Sequence, residues 1–279
     1  MIVCKELNKE YSTKAEMFKA LRENKSTLIA QKKMITKECD SISMPTVVEN
    51  IKGEVIKAGS ESLDDISTLK MDLIINTTKL MDSHSDVHLD GIWNKSVKEQ
   101  KNLYLLQEHK MTFANIITDN VKASVKSLNW SELGADFEGK TQALVFTSEV
   151  NKDRNEFMFD QYAKGFVKNH SVGMRYVKLE LALNSESKYD QEEKEVWDKY
   201  ISEIANKQDA ENQGYFWAVS EAKIIEGSAV PIGSNKITPV LSIEEKAANN
   251  STLNTEPSND TQTDTKGTRS KGHKLNKFI

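Results

Sequence analysis

Hydrophobic and polar positions alternate most clearly over residues 174–183, "MRYVKLELAL", where Val177, Leu179, Leu181 and Leu183 face one way and Lys178 and Glu180 the other. That period of two predicts a strand with one buried face. Residues 215–230, "YFWAVSEAKIIEGSAV", predict a second strand, rich in aromatic and β-branched residues. "MDLIINTT" (71–78), "KNLYLLQEH" (101–109) and "KTQALVFTSEV" (140–150) read as further strands between polar turns. The period changes to helical at the N-terminus. Thr13 followed by Glu16 fits a capping box, and "KAEMFKALRENKSTLIAQKKMI" carries Phe18, Leu21, Leu28 and Ile29 among charged residues. Asp40 to Pro45 is expected to break that helix. Between the two clearest strands, Val196, Trp197, Tyr200, Ile201 and Ile204 mark one face of an acidic amphipathic helix, a helical insertion over 185–213.

From about residue 243, Asn, Thr and Ser dominate and apolar residues nearly vanish. Such a segment cannot bury enough surface to fold, so residues 243–279 predict a disordered polar tail. Its last fourteen residues hold Lys266, Arg269, Lys271, Lys274 and Lys277 and no acid, a basic end able to meet an acidic surface. The predicted organisation is a helical segment over 1–66, a strand-rich domain over 67–242 and this tail.

Composition narrows the function classes. The 279 residues are 38% hydrophobic and 29% charged, as expected of a polar protein with an ordinary core. A net charge of -4 gives no overall electrostatic reason to expect nucleic acid, and a nucleic-acid module would have to work through the basic tail. Cys4 and Cys39 are too few for a disulfide scaffold or a cysteine-based zinc site, so a reducing cytoplasm is the default. No apolar run reaches the length of a membrane helix, and the start lacks the pattern of a secretory signal. His84 and His88, with Asp82, Asp86 and Asp90 nearby, have metal-ligand residue types, but "DSHSDVHLDG" reads as a solvated loop, and no metal or cofactor is expected.

The remaining chemistry centres on "NHSVGMRY", 169–176, where a serine and a glycine stand at the entrance of a strand. Ser171 is a candidate nucleophile displayed at a strand edge. His170, its neighbour, points to the opposite face of a strand and is a poor base for it. His109 ends an apolar run that would carry it to a sheet edge, with a side chain suited to proton exchange near neutral pH. Glu226 interrupts an apolar strand end, where a carboxylate has to be solvated, paired or functional; Glu221 is its competitor. Gly173 would allow close backbone approach, and Arg175 or nearby amides would help hold an oxyanion.

Four segments, in order, resemble the prohead (capsid maturation) serine proteases of tailed bacteriophages, which share their fold with the herpesvirus assemblin proteases. They are "DSHSDVHLDGIWNKSVKE" (82–99), "LYLLQEHK" (103–110), "KGFVKNHSVGMRY" (164–176) and "AKIIEGSAVPIGSN" (222–235). The resemblance covers roughly 70–240; the insertion at 185–213 and the early proline after Val230 depart from the family pattern. It implies an α+β fold with a mostly antiparallel β-barrel surrounded by helices. It also implies Ser171 as nucleophile, His109 as general base and Glu226 as the group that orients the imidazole. The expected substrates are scaffold and major capsid protein precursors inside the assembling procapsid, in the host cytoplasm, with self-cleavage. Related herpesvirus enzymes dimerise, which leaves a homo-oligomer open. The competing expectation is a non-enzymatic capsid assembly or scaffolding protein of the same fold.

Overall fold

Among the described residues, ten of the twelve strands join two larger sheets. The computed structural model of the chain describes residues 1–40, 48–49 and 66–231. The polar tail over 243–279, most of the Asp40–Pro45 break and the end of "EGSAVPIGSN" lie outside them. In chain order the strands are β1 (Ile2–Cys4), β2 (Lys9–Tyr11), β3 (Lys37–Asp40), β4 (Val48–Glu49), β5 (Thr68–Thr77), β6 (Asp86–His88), β7 (Leu105–Gln107), β8 (Ile116–Thr118), β9 (Val121–Asn129), β10 (Lys140–Asn151), β11 (Asn169–Leu183) and β12 (Tyr215–Val230). The helices are α1 (Lys14–Glu23), α2 (Lys25–Met34), α3 (Asn94–Glu99), α4 (Glu156–Ala163), α5 (Gln191–Tyr200) and α6 (Lys207–Gln213). The fold is mixed α+β. One sheet runs β4-β5-β10-β9 and the other β3-β11-β12-β7-β8, with β6 also beside β12. Pairing is antiparallel except where β6 and β7 run parallel to β12. No pairing among the described strands joins the two sheets into a ring.

The core lies between the sheets. Leu69, Met71, Leu73, Ile75, Leu144 and Phe146 from one sheet share a buried cluster with Val172, Met174, Tyr176, Leu179, Leu181, Trp217, Val219 and Ile224 from the other. Met17, Phe18, Leu21 and Leu28 belong to the same cluster, so the N-terminal helices close one side of it. Burying each such side chain contributes roughly 1.5–3 kcal/mol. Met1–Val240 accordingly forms one unit.

The long N-terminal helix is in fact two. Thr13 caps α1 by accepting from the Glu16 amide, while Glu16 accepts from Ser12. At Asn24 the side-chain amide donates to the Ala20 carbonyl and the backbone leaves helical geometry, a competition that short polar side chains often win. The insertion is likewise α5, a short 3₁₀ turn and α6. Its Trp197, Ile204 and Ala210 pack on Ala182, Phe216 and Ala218, covering the outer face of the second sheet at one end. Lys25 pairs with Glu193 at 2.6 Å and Arg22 with Asp190, tying α1 and α2 to this insertion.

Two local findings correct the sequence pattern. Val177 does not join Leu179 on the buried face but is 38% exposed. The register of β11 on β12 shifts on both sides of Lys178, and the extra residue turns Val177 outward. The "DSHSDVHLDG" segment is not a solvated loop throughout. Asp86 and His88 are buried in β6, beside β12. The Lys32 Nζ donates to Asp86 Oδ1 at 2.6 Å, Tyr176 Oη donates to Asp86 Oδ2, and His88 bonds Asn76 and Tyr176. These partners come from distant parts of the chain and compensate the buried polar groups.

Candidate active site

Strand β12 changes phase just before Glu226. Ala222 and Ile224 face the core, and simple alternation would send residue 226 there too. The register on β11 shifts between Gly173, opposite Glu226, and Met174, opposite Ile224, so Ile225 is an extra residue. This bulge moves Glu226 and Ser228 to the outer face, while Gly227 points inward against Phe146 and Ile75. Strand β11 keeps its alternation here: Val172 and Met174 are in the core, so Ser171 and Gly173 share the outer face with Glu226 and Ser228. Ser171 stands directly opposite Ser228, which sets their Cβ atoms about 5 Å apart.

His109 arrives from the neighbouring strand. β7 lies between β12 and β8, so its end is at the top of the sheet, not at a sheet edge. Two residues beyond it, Glu108 and His109 both take the left-handed conformation, with φ of 53° and 55°. The Glu108 amide donates to the Ala229 carbonyl and the Lys110 amide to Gln107. This tight turn folds the imidazole over β12, where Nδ1 lies 2.6 Å from Glu226 Oε1. Ser228 Oγ donates to Glu226 Oε2 at 2.6 Å and accepts from the His109 backbone amide at 3.1 Å. The His109 and Glu226 side chains are 12% and 5% exposed, so the pair is largely withdrawn from water. A carboxylate there is held by the imidazole and the hydroxyl together.

Gly173 has a different task from the one its sequence position suggested. A Cβ built on it would overlap Glu226 Oε1 and lie 2.8 Å from Cδ. The missing side chain makes room for the carboxylate. Arg175 is exposed, beyond the bulge. Nor is Ser171 at a strand edge: β3 pairs with β11 across Ser171–Met174 on one side, with Asp40 opposite Ser171, and β12 pairs on the other. Ser171 is only 1% exposed.

The competing candidates sit elsewhere. His170 points away from Ser171, stacks on Tyr162 and bonds its hydroxyl at 2.9 Å. Burial pushes the His170 pKa down to about 4, and burial also raises that of Tyr162. Glu221 is held below the usual carboxylate range by hydrogen bonds from Lys178 and Lys95 at the surface. His84 lies beside Asp82, and no group of three or more His, Cys, Asp or Glu able to hold a metal ion occurs among the described residues. Ser228 was missed in the sequence. Its only signal was a hydroxyl two residues after the odd carboxylate, which on a strand returns to the same face. No family model, curated protein or solved structure matches the chain.

Proposed function

We propose that this chain is a serine endopeptidase that matures capsids, cleaving scaffold and major capsid protein precursors within a procapsid and also itself. The 2.6 Å pair of Glu226 and His109, on the face that also carries Ser171, is the observation that supports it. In this mechanism His109 takes the Ser171 proton through Nε2, the ring nitrogen turned away from Glu226. The serine oxygen attacks the scissile carbonyl, and the same imidazole then protonates the leaving amine. Glu226 keeps the proton on Nδ1 and stabilises the imidazolium. Water repeats the sequence on the acyl-enzyme. Because β3 and β12 flank β11 at Ser171, the substrate approaches over the outer face of the sheet. The assemblin-like barrel, the protease domain over 67–242 and the procapsid location follow from the resemblance of the four segments and belong to the same proposal.

A mass-spectrometric time course tests it, with the full chain, Ser171→Ala and His109→Ala, each alone and mixed with the capsid precursor. Products seen only with the unmodified chain support the protease. Identical intact masses in all three overturn it. The second reading, a non-enzymatic assembly protein, is favoured by the 1% exposure of Ser171, since a nucleophile has to be reached. It predicts that Ser171→Ala changes neither cleavage nor particle assembly.

A further inference from the structure

Three hydrogen bonds around Glu226 form a closed ring with a fixed direction. A backbone amide only donates, so the Ser228 oxygen accepts from the His109 N–H. Its single proton then goes to Glu226 Oε2, 2.6 Å away. An ionised carboxylate only accepts, so Oε1 takes a proton from His109 Nδ1. The ring begins and ends on the same residue. It binds His109 by its backbone and by its side chain, and Ser228 is the hinge between them.

We infer that Ser228 is a positioning residue of the active site: its hydroxyl holds the left-handed His109 turn and the Glu226 carboxylate in one geometry, and so fixes the imidazole in the Nδ1–H tautomer that leaves Nε2 basic. The inference rests on the protease reading given above. Several observations converge on it. Two consecutive non-glycine residues with positive φ, Glu108 and His109, form a turn that needs outside support. Besides the Glu108 amide on Ala229, the His109 amide on Ser228 Oγ is such a support. Ser228 is fully buried, and its bonds to Glu226 and from the His109 amide use its one proton and one of its two lone pairs. It also stands opposite Ser171 in register, so the same hydroxyl that sets the base lies beside the proposed nucleophile. An alanine there would leave the turn amide and one carboxylate oxygen without these bonds, and the ring would be free to flip or exchange tautomers.

The test compares the full chain with Ser228→Ala and Ser228→Thr, labelled with ¹⁵N-histidine and assayed for precursor cleavage. Loss of one hydrogen bond to a charged group predicts a fall in kcat of about 10- to 100-fold with little change in KM. Ser228→Thr, which keeps the hydroxyl, should restore most of it. The histidine spectra should show His109 wholly as the Nδ1–H tautomer in the unmodified chain and as a mixture in Ser228→Ala. Unchanged kcat and an unchanged tautomer in Ser228→Ala overturn the inference. If Ser228→Ala does not fold, Ser228→Cys replaces it; full activity with a single His109 tautomer in that variant counts against the hydroxyl. If the unmodified chain cleaves nothing, the protease reading falls by itself, and the tautomer comparison still decides what Ser228 does. A loss in Ser228→Ala as complete as in Ser171→Ala, with the His109 tautomer intact, also overturns it, because Ser228 then acts as the nucleophile itself.

Discussion

Replacing Gly173 with alanine adds one methyl group where the Glu226 carboxylate lies. The new Cβ would overlap Oε1 and lie 2.8 Å from Cδ, whereas two carbons in contact need about 3.5 Å or more. The carboxylate therefore has to retreat by about 1 Å, which takes the 2.6 Å bond to His109 Nδ1 beyond hydrogen-bonding distance. Backbone strain does not confuse the result, because Gly173 is not among the glycines with positive φ. The core is untouched, since the methyl group points to the outer face. The lost charge-assisted bond costs about 2 kcal/mol of stability. An imidazole no longer held by that carboxylate, and misplaced by about 1 Å, slows the proposed chemistry about 100-fold. The assay is the precursor-cleavage time course beside a denaturant titration of the same protein. Cleavage by Gly173→Ala at the unmodified rate would refute the reasoning, for the carboxylate would then not be needed where it lies.

Other consequences follow from the buried polar groups. Lys32 lies among Asp86 and Glu6, whose attraction outweighs the burial that would lower its pKa, so the ammonium stays charged. Lys32→Met leaves both carboxylates without that partner and should cost about 3–5 kcal/mol in a denaturant titration; a loss below about 1 kcal/mol would show the pairs to be dispensable. The native His170 pKa of about 4 lies below the unfolded value near 6.5. Its neutral form stabilises the fold above pH 6.5, and that contribution, up to about 3 kcal/mol, is lost as pH falls from 6.5 to 4. Asp82 has the opposite sign: burial, then the charge of Asp86, raises its pKa to about 6, so its ionisation costs stability as pH rises through 6. Asp82→Asn, which keeps an acceptor for the His84 and Asp86 amides, should stabilise the chain by about 2 kcal/mol at pH 7.5 and by little at pH 4. A gain that grows on acidification would reverse the assignment.

Strands β11 and β12 were legible from their local patterns, whereas "KNLYLLQEH" holds only the three-residue β7 and leaves His109 in a turn. "YFWAVSEAKIIEGSAV" is β12 residue for residue, and the apolar stripe of α1 and α2 was visible before the partner it packs on. What sequence could not supply was phase. Whether Glu226 faces the core or the outer surface depends on Ile225 bulging out of the pairing with β11, which is a property of two strands and not of one. The same holds for Val177. Asp86 and His88 misled for a related reason. Polar residues in a run of Ser and Asp read as solvated unless their partners are known, and Lys32, Asn76 and Tyr176 come from three other elements. Glu226 and His109 were singled out by their positions at strand ends; Ser228 and the real use of Gly173 emerged only once the carboxylate had a location.

That location bears on why the residues are polar at all. The outer face of the second sheet is covered at one end by apolar contacts with α5 and α6, through Phe216, Ala218, Trp197 and Ile204. At the other end the chain buries a glutamate and two serines beside a half-buried histidine instead. If that end served only to fasten the His109 turn, apolar residues of similar volume would do as well, since a buried ion pair rarely gains stability over a hydrophobic replacement. The polar set also demands a bulge at Ile225, a glycine at 173 and two left-handed residues in succession. Each is a local cost that packing alone does not require, and all three converge on one carboxylate and one imidazole. The proposed proton-transfer site would account for the whole set, since a general base needs its imidazole held at one nitrogen by a fixed partner.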